Sequence, residues 1–360
     1  GIGFTRLATG ITELTRIATR GEKDSVEFGI VFLDRLLKRI AWGQGHTGNV
    51  RQRRHRCHRE RWQRGRLGVN WKRSGPGGFM FRKVVLLLLA FLLQGSGGQE
   101  MALELVRVIE VEGRQGVAVD DDRYYVSGST ALYTYDKNGK LLTKNEAPFS
   151  SLSKEANHIG DISVHDGELF AGIEHFLDGR GTNIQVAVYD AATLEYKRSI
   201  DWNPDSGQVE VSAVAVDPEN RAIWMTDWVD GSHVYRYDLD NETYQGKMKM
   251  EPVPPSQQGI AVHAGHLYIT ADDGDAEVDE SDRLWQTAAD PASASGQARV
   301  VKTFTEFKRA GEIEGLDFDE SRNELVVLNN RGKRIDLGMP KGLYPGYDRE
   351  IHELYVYRLR

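Results

Sequence analysis

Five stretches of the chain repeat one pattern: an alternating apolar strand, a short polar turn and a second alternating strand. They are QGVAVDDDRYYVSG from Gln115, GDISVHDGELFAGIE from Gly160, SAVAVDPENRAIWMTDW from Ser212, QGIAVHAGHLYITADD from Gln258 and EGLDFDESRNELVVLNN from Glu314. Their starts lie 45 to 56 residues apart. A unit of that length, with about four strands in it, is what a propeller blade requires. The outer strands are visible too. ALYTYDKNGKLLTKNEA turns at Asn138-Gly139, a strong hairpin dipeptide. IQVAVYDAATLEYKRSI and HVYRYDLDNETYQGKMKM serve blades two and three. Blade five has only ELYVYRL after its second strand, so LELVRVIEV (103–111) is expected to complete it.

The predicted fold class is therefore all-β, a five-bladed propeller over 99–360 whose N- and C-terminal strands close the ring. Closure removes the exposed strand edges. Blades four and five are long enough to allow a sixth, degenerate blade, and a β-sandwich would use the same alternation.

The net charge of −7 hides two opposed halves. Residues 1–79 hold 17 Lys and Arg against 6 Asp and Glu, which leaves −18 on 80–360. An acidic domain repels nucleic acid and anionic membranes and suits cations or neutral ligands. The one cysteine, Cys57, lies in the basic segment, so no disulfide staples the propeller.

From Met80 the chain reads MFRKVVLLLLAFLLQGSGGQE. A basic start, a ten-residue apolar run and small residues at Ser96 and Gly98 make the three-part pattern of a secretory signal. The run is too short to span a bilayer, which takes about 20 residues. The expectation is a signal over 80–98, a secreted or periplasmic domain with no membrane association after cleavage, and a segment 1–79 outside the mature protein.

In a propeller, first-strand starts and second-strand ends share one face. The loops following the second strands are long: 174–183, 272–284 and 329–350. Long insertions on one face mark a binding face. The last loop, with Tyr344, Pro345 and Tyr347, is placed to cross the channel as a partial lid. The strand starts bring Gln115, Gly160, Ser212, Gln258 and Glu314 to that face, preceded by His158, Glu210 and Glu312, with Asp161 after Gly160. The second-strand ends bring Glu174, Asp227, Asp272 and Asn329. A hard cation such as calcium takes six to eight oxygen ligands, and this density suggests such a site. DDGDAEVDESD (272–282) lacks the glycine of an EF-hand and reads as a solvated acidic loop.

Glu314-Gly315-Leu316 resembles the inner-strand motif of the gluconolactonase and senescence-marker-protein propellers, related to the NHL-like propellers, and Gln258-Gly259-Ile260 falls where that family has Asn-Gly-Ile. The resemblance implies a divalent metal in the channel held by Glu314, with Gln258 in the place of a second ligand. Gln replaces Asn, the Pro-Asp-Gly segment has no counterpart, and the family has six blades.

Two functions follow. One is a calcium-dependent hydrolase of lactones or phosphoesters, with Glu314, Asp161, Asp227, Asp272 and Gln258 around the ion and His158 or Glu210 as general base. The other is a non-catalytic propeller binding a small molecule, glycan or protein, with Trp202, Trp224 and Trp228 available for stacking. Nucleophile elbows, Walker loops and dinucleotide fingerprints are absent from the sequence.

Overall fold

In the computed structural model, residues 100–229, 231–274, 280–307, 311–336 and 339–360 are described. The basic segment 1–79 and the signal assigned to 80–98 lie outside the described residues.

The described residues form 23 strands and one short 3-10 turn. β1 (Leu103–Val111) opens it. Blade one follows as β2 (Gly116–Val119), β3 (Arg123–Gly128), β4 (Ala131–Asp136) and β5 (Leu141–Asn145). Blade two is β6 (His158–His165), β7 (Glu168–Leu177), β8 (Arg180–Asp190) and β9 (Tyr196–Asp201). Blade three is β10 (Ala213–Asp217), β11 (Ala222–Thr226), β12 (His233–Asp238) and β13 (Tyr244–Glu251). Blade four is β14 (Gln257–His263), β15 (His266–Ala271), β16 (Arg283–Ala288) and, after the short β17 (Ser295–Gln297), β18 (Arg299–Thr303). Blade five is β19 (Ile313–Asp319), β20 (Glu324–Arg331) and, beyond the hairpin β21 (Lys333–Asp336) and β22 (Met339–Leu343), β23 (Ile351–Leu359).

The fold is the expected five-bladed propeller, and no sixth blade stands among the described residues. β1 pairs antiparallel with β23, from Leu103 opposite Leu359 to Val111 opposite His352, so the two termini close blade five as β1-β23-β20-β19. One feature was not expected. β17, in the connection between β16 and β18, crosses to blade three and pairs parallel with β13, giving that blade a fifth strand.

Alternation in each blade sends one set of residues to each neighbour, and a separate apolar cluster fills every interface. Tyr125 and Leu132 of blade one pack on Ile162 and Ala171 of blade two. Phe170 and Val186 of blade two meet Ile223 and Met225 of blade three. Trp224 and Ile260 mark the next interface, Leu284 and Leu325 the one after, and Val126 with Val326 closes the circle. Each fully buried aliphatic or aromatic side chain contributes about 1.5–3 kcal/mol, so the clusters hold the ring without a disulfide.

The axis itself is almost filled. Gly116, Gly259 and Gly315 pack around Asp161 so closely that a Cβ on Gly315 would lie 2.0 Å from Asp161 Oδ1 and 2.6 Å from the Gly116 Cα. Only glycine lets inner strands approach to this distance.

Candidate functional site at the axial funnel

Above this constriction the inner strands open into a funnel of about 120 Å³ lined by twelve residues, among them Arg114, His158, Glu210, Trp228, Gln258 and Glu314. The sequence template gives the reason. Ladder register slips at Gly160-Asp161 in β6, at Gln258 in β14 and at Glu314-Gly315 in β19. Such bulges re-aim side chains, here toward the axis.

The expected site residues divide among several surroundings. His158, Glu210, Gln258 and Glu314, from four different blades, line the one funnel. Asp161 lies beneath it, fully buried. Its Oδ1 accepts the backbone N–H of Val117 at 2.9 Å, and its Oδ2 accepts those of Ile260 at 3.2 Å and Leu316 at 3.4 Å. Burial pushes this carboxyl well above the usual carboxylate range, while the Ile162, Val117 and Ile260 amides favour its ionised form. Asp161 thus ties its own blade to the inner strands of blades one, four and five.

Asp227 sits behind Glu210 at the interface of blades two and three. Its Oδ2 accepts the backbone N–H of Val209 at 3.1 Å. Here Glu174 and Glu210 are hydrogen-bonded carboxyl to carboxyl. Glu210 also accepts the Trp228 backbone N–H at 2.5 Å, and Glu174 that of Val211 at 3.0 Å. Burial, then the neighbouring Glu174 and Asp227, push the Glu210 carboxyl well above the usual range. His158 Nδ1 stands 3.2 Å from Glu174 Oε1, and its Nε2 lies 3.3 Å from Gln115 Oε1.

On the far side, Arg114 provides the positive charge. Its Nε donates to Glu350 at 2.9 Å and its Nη2 to Glu312 at 3.2 Å, while Glu314 lies 3.9 Å away. Asn330 Nδ2 donates to Glu314 Oε1 at 2.6 Å. Burial opposes the Arg114 charge, but Glu314, Glu350 and Glu312 outweigh it and hold the guanidinium protonated. The carboxylate expected to hold a metal therefore faces a guanidinium and an amide donor.

Asp272 stands elsewhere again, hydrogen-bonded carboxyl to carboxyl with Asp282 beside Glu312. The five expected ligands thus fall into separate groups. Asp161 is taken up by backbone amides, Glu314 by Arg114 and Asn330, and Asp227 and Asp272 lie behind different walls. Around the axis these residues do not fit one calcium ion. The segment 272–282 is not simply solvated either, since Asp273 has a side chain 1% exposed, held by Arg283 at 3.1 Å and Trp285 Nε1 at 3.0 Å.

The aromatics separate in the same way. Trp224 is fully buried between blades three and four, whereas Trp228 and Phe176 line the funnel. Trp202 donates its indole N–H to Ser206 Oγ at 3.0 Å. The loop 174–183 is largely a continuation of β7 and β8 around a turn at Asp178-Gly179. The last loop brings Ile335 of β21 to the funnel wall, with Lys333 anchored to Glu350 at 3.0 Å. Sequence reasoning missed Arg114. It precedes the Gln115 template position by one residue, and its charge was the available signal.

No protein-family model matches the sequence, and no curated protein matches it. Among solved structures, hydrazine synthase of Kuenenia stuttgartiensis is similar at 10% identity and a TM-score of 0.38, over 73% of this chain. The match spans 65% of that chain's length. No functional inference follows from a likeness this distant.

Proposed function

We propose that this protein binds the polyhydroxylated end of a small neutral molecule or glycan in its axial funnel. The observation that carries the reading is the convergence of His158, Glu210, Gln258 and Glu314 from four blades on one small cavity. Ser129, Ser212, Gln115 and Gln258 offer neutral hydrogen-bonding groups there, and Trp228 and Phe176 offer apolar faces. That mixture suits hydroxyl-rich rings, whose edges are polar and whose faces are apolar. The acidic walls disfavour anionic ligands. The signal pattern of 80–98 supports action outside the cytoplasm.

Calorimetry with neutral sugars, aldonolactones and their anionic counterparts tests the reading. A neutral member should bind and lose about tenfold or more in affinity in Gln258→Ala, the loss expected when a hydrogen bond and its packing go. Absence of binding across the neutral panel, or preference for the anionic members, would refute it.

A second reading rests on Glu210 at the funnel wall, whose carboxyl is pushed well above the usual range by burial and by Glu174 and Asp227. A carboxyl kept neutral at working pH is a general acid, and His158, oriented by Glu174, is placed as a base for water. Hydrolysis of lactones, glycosides or phosphoesters would then follow binding. The panel that shows binding should be followed for product.

A further inference from the structure

We infer that a divalent cation of the calcium type binds between blades four and five, on Asp272, Asp282 and Asn329. This goes beyond the funnel reading and does not depend on it.

Strand register places these residues together. In blade four, Thr270 of β15 donates to the Glu314 carbonyl at 2.5 Å, so even-numbered residues of β15 face blade five. Asp272 continues that face. Thr270 pairs with Leu284 and Ala271 with Arg283, so Asp272 comes opposite Asp282. Leu284 packs in the blade four–five cluster, and Asp282, two residues earlier, shares its side. In blade five, Leu325 and Val327 of β20 pack in that same cluster, whereas Val326 and Leu328 pack against blade one. The β20–β23 ladder runs without a slip from Glu324 to Arg331, so Asn329 also faces blade four.

Asn329 is the independent sign of a ligand. It is 2% exposed, and its carbonyl oxygen Oδ1 has no hydrogen-bond partner. A buried amide oxygen left without a donor is destabilising. A cation would supply what it lacks. The donor set is oxygen throughout, two carboxylates and an amide, which favours a hard cation over zinc. The equivalent positions between blades two and three hold Glu174, Asp227 and Glu210, whose carboxylates are met by the backbone amides of Val211, Val209 and Trp228; between blades four and five Asp282 Oδ1 accepts the Gly274 N–H at 3.0 Å, and Asn329 Oδ1 is left without a donor.

The carboxyls are not drawn into a cage as they stand. Among the described residues no three acidic, His or Cys side chains are set in metal-ligand geometry. Asp272 and Asp282 instead meet carboxyl to carboxyl. The side chains of Asp272 and Asp282 keep partial solvent access, which provides the path in.

The test uses the full chain. Its melting temperature should rise with calcium concentration relative to EDTA, as mass action requires. Calorimetry should show calcium binding weakened about tenfold or more in the double variant Asp272→Asn, Asp282→Asn, which removes charge from the ligand set. No calcium-dependent shift in the wild type overturns the inference, and so does an undiminished response in the double variant. If the double variant does not fold, Asn329→Asp is the second probe. It adds one charge to the set, and it should bind calcium more tightly than the wild type. Equal or weaker affinity overturns the site.

Discussion

Asp161 of blade two accepts the backbone N–H of Val117 in the neighbouring blade one at 2.9 Å, at the axis of the ring. Ile260 and Leu316 donate to its other oxygen, so one side chain joins four blades where their inner strands converge on the axis.

Replacing this acceptor leaves buried amides without partners. Asp161→Ala should lower unfolding free energy by about 3 kcal/mol or more, since each unsatisfied buried donor costs about 1–3 kcal/mol. Urea unfolding measures it, and a loss below about 0.5 kcal/mol would mean that the axis is held by packing alone.

Gly315→Ala should also destabilise, by about 2 kcal/mol or more, because its Cβ would sit 2.0 Å from Asp161 Oδ1. Gly128→Ala is the control, with its nearest atom 3.6 Å away. Equal melting temperatures for the two variants would refute the close approach.

Two buried groups should move stability with pH in opposite directions. Burial lowers the His352 pKa from 6.5 to about 4. The unfolded chain then binds more protons between those values, so stability from this group is lost as pH falls from 6.5 to about 4, by up to about 3 kcal/mol. Burial raises Asp317 from 3.8 to about 7. Here the folded state binds more protons, so stability is lost as pH rises over that range. Denaturation across pH should show the acid-side slope reduced in His352→Gln and the opposite slope reduced in Asp317→Asn. Unchanged slopes would contradict both assignments.

If the funnel hydrolyses its ligand, Glu210→Gln should cut kcat about a hundredfold or more with little change in KM, since loss of a general acid costs about that much. Activity retained in the variant would show that Glu210 is not the general acid.

Removing β1 should open the ring. The β23 edge would lose Leu103 to Val111 and face solvent unpaired. A chain starting at Gly113 should aggregate or melt far lower than one starting at Glu100, as size-exclusion chromatography and calorimetry would show.

What the sequence determined by itself is the periodic part: five blades, their inner strands, and closure of the ring by 103–111. Alternation and turn chemistry are local and repeat in every blade, so they can be read without coordinates. The tertiary structure decided which polar residues meet, because that turns on bulges and on which neighbour each strand face sees. Asp161 and Glu314 lie near the same rim in the alignment, yet the slip at Gly160-Asp161 drops one into the amide-lined floor while the other meets Arg114 on the wall. Trp224 and Trp228 are four residues apart, yet one is core and the other lines the funnel. Charge pairing across blades is a non-local balance of burial and partners, and the linear chain carries no record of it.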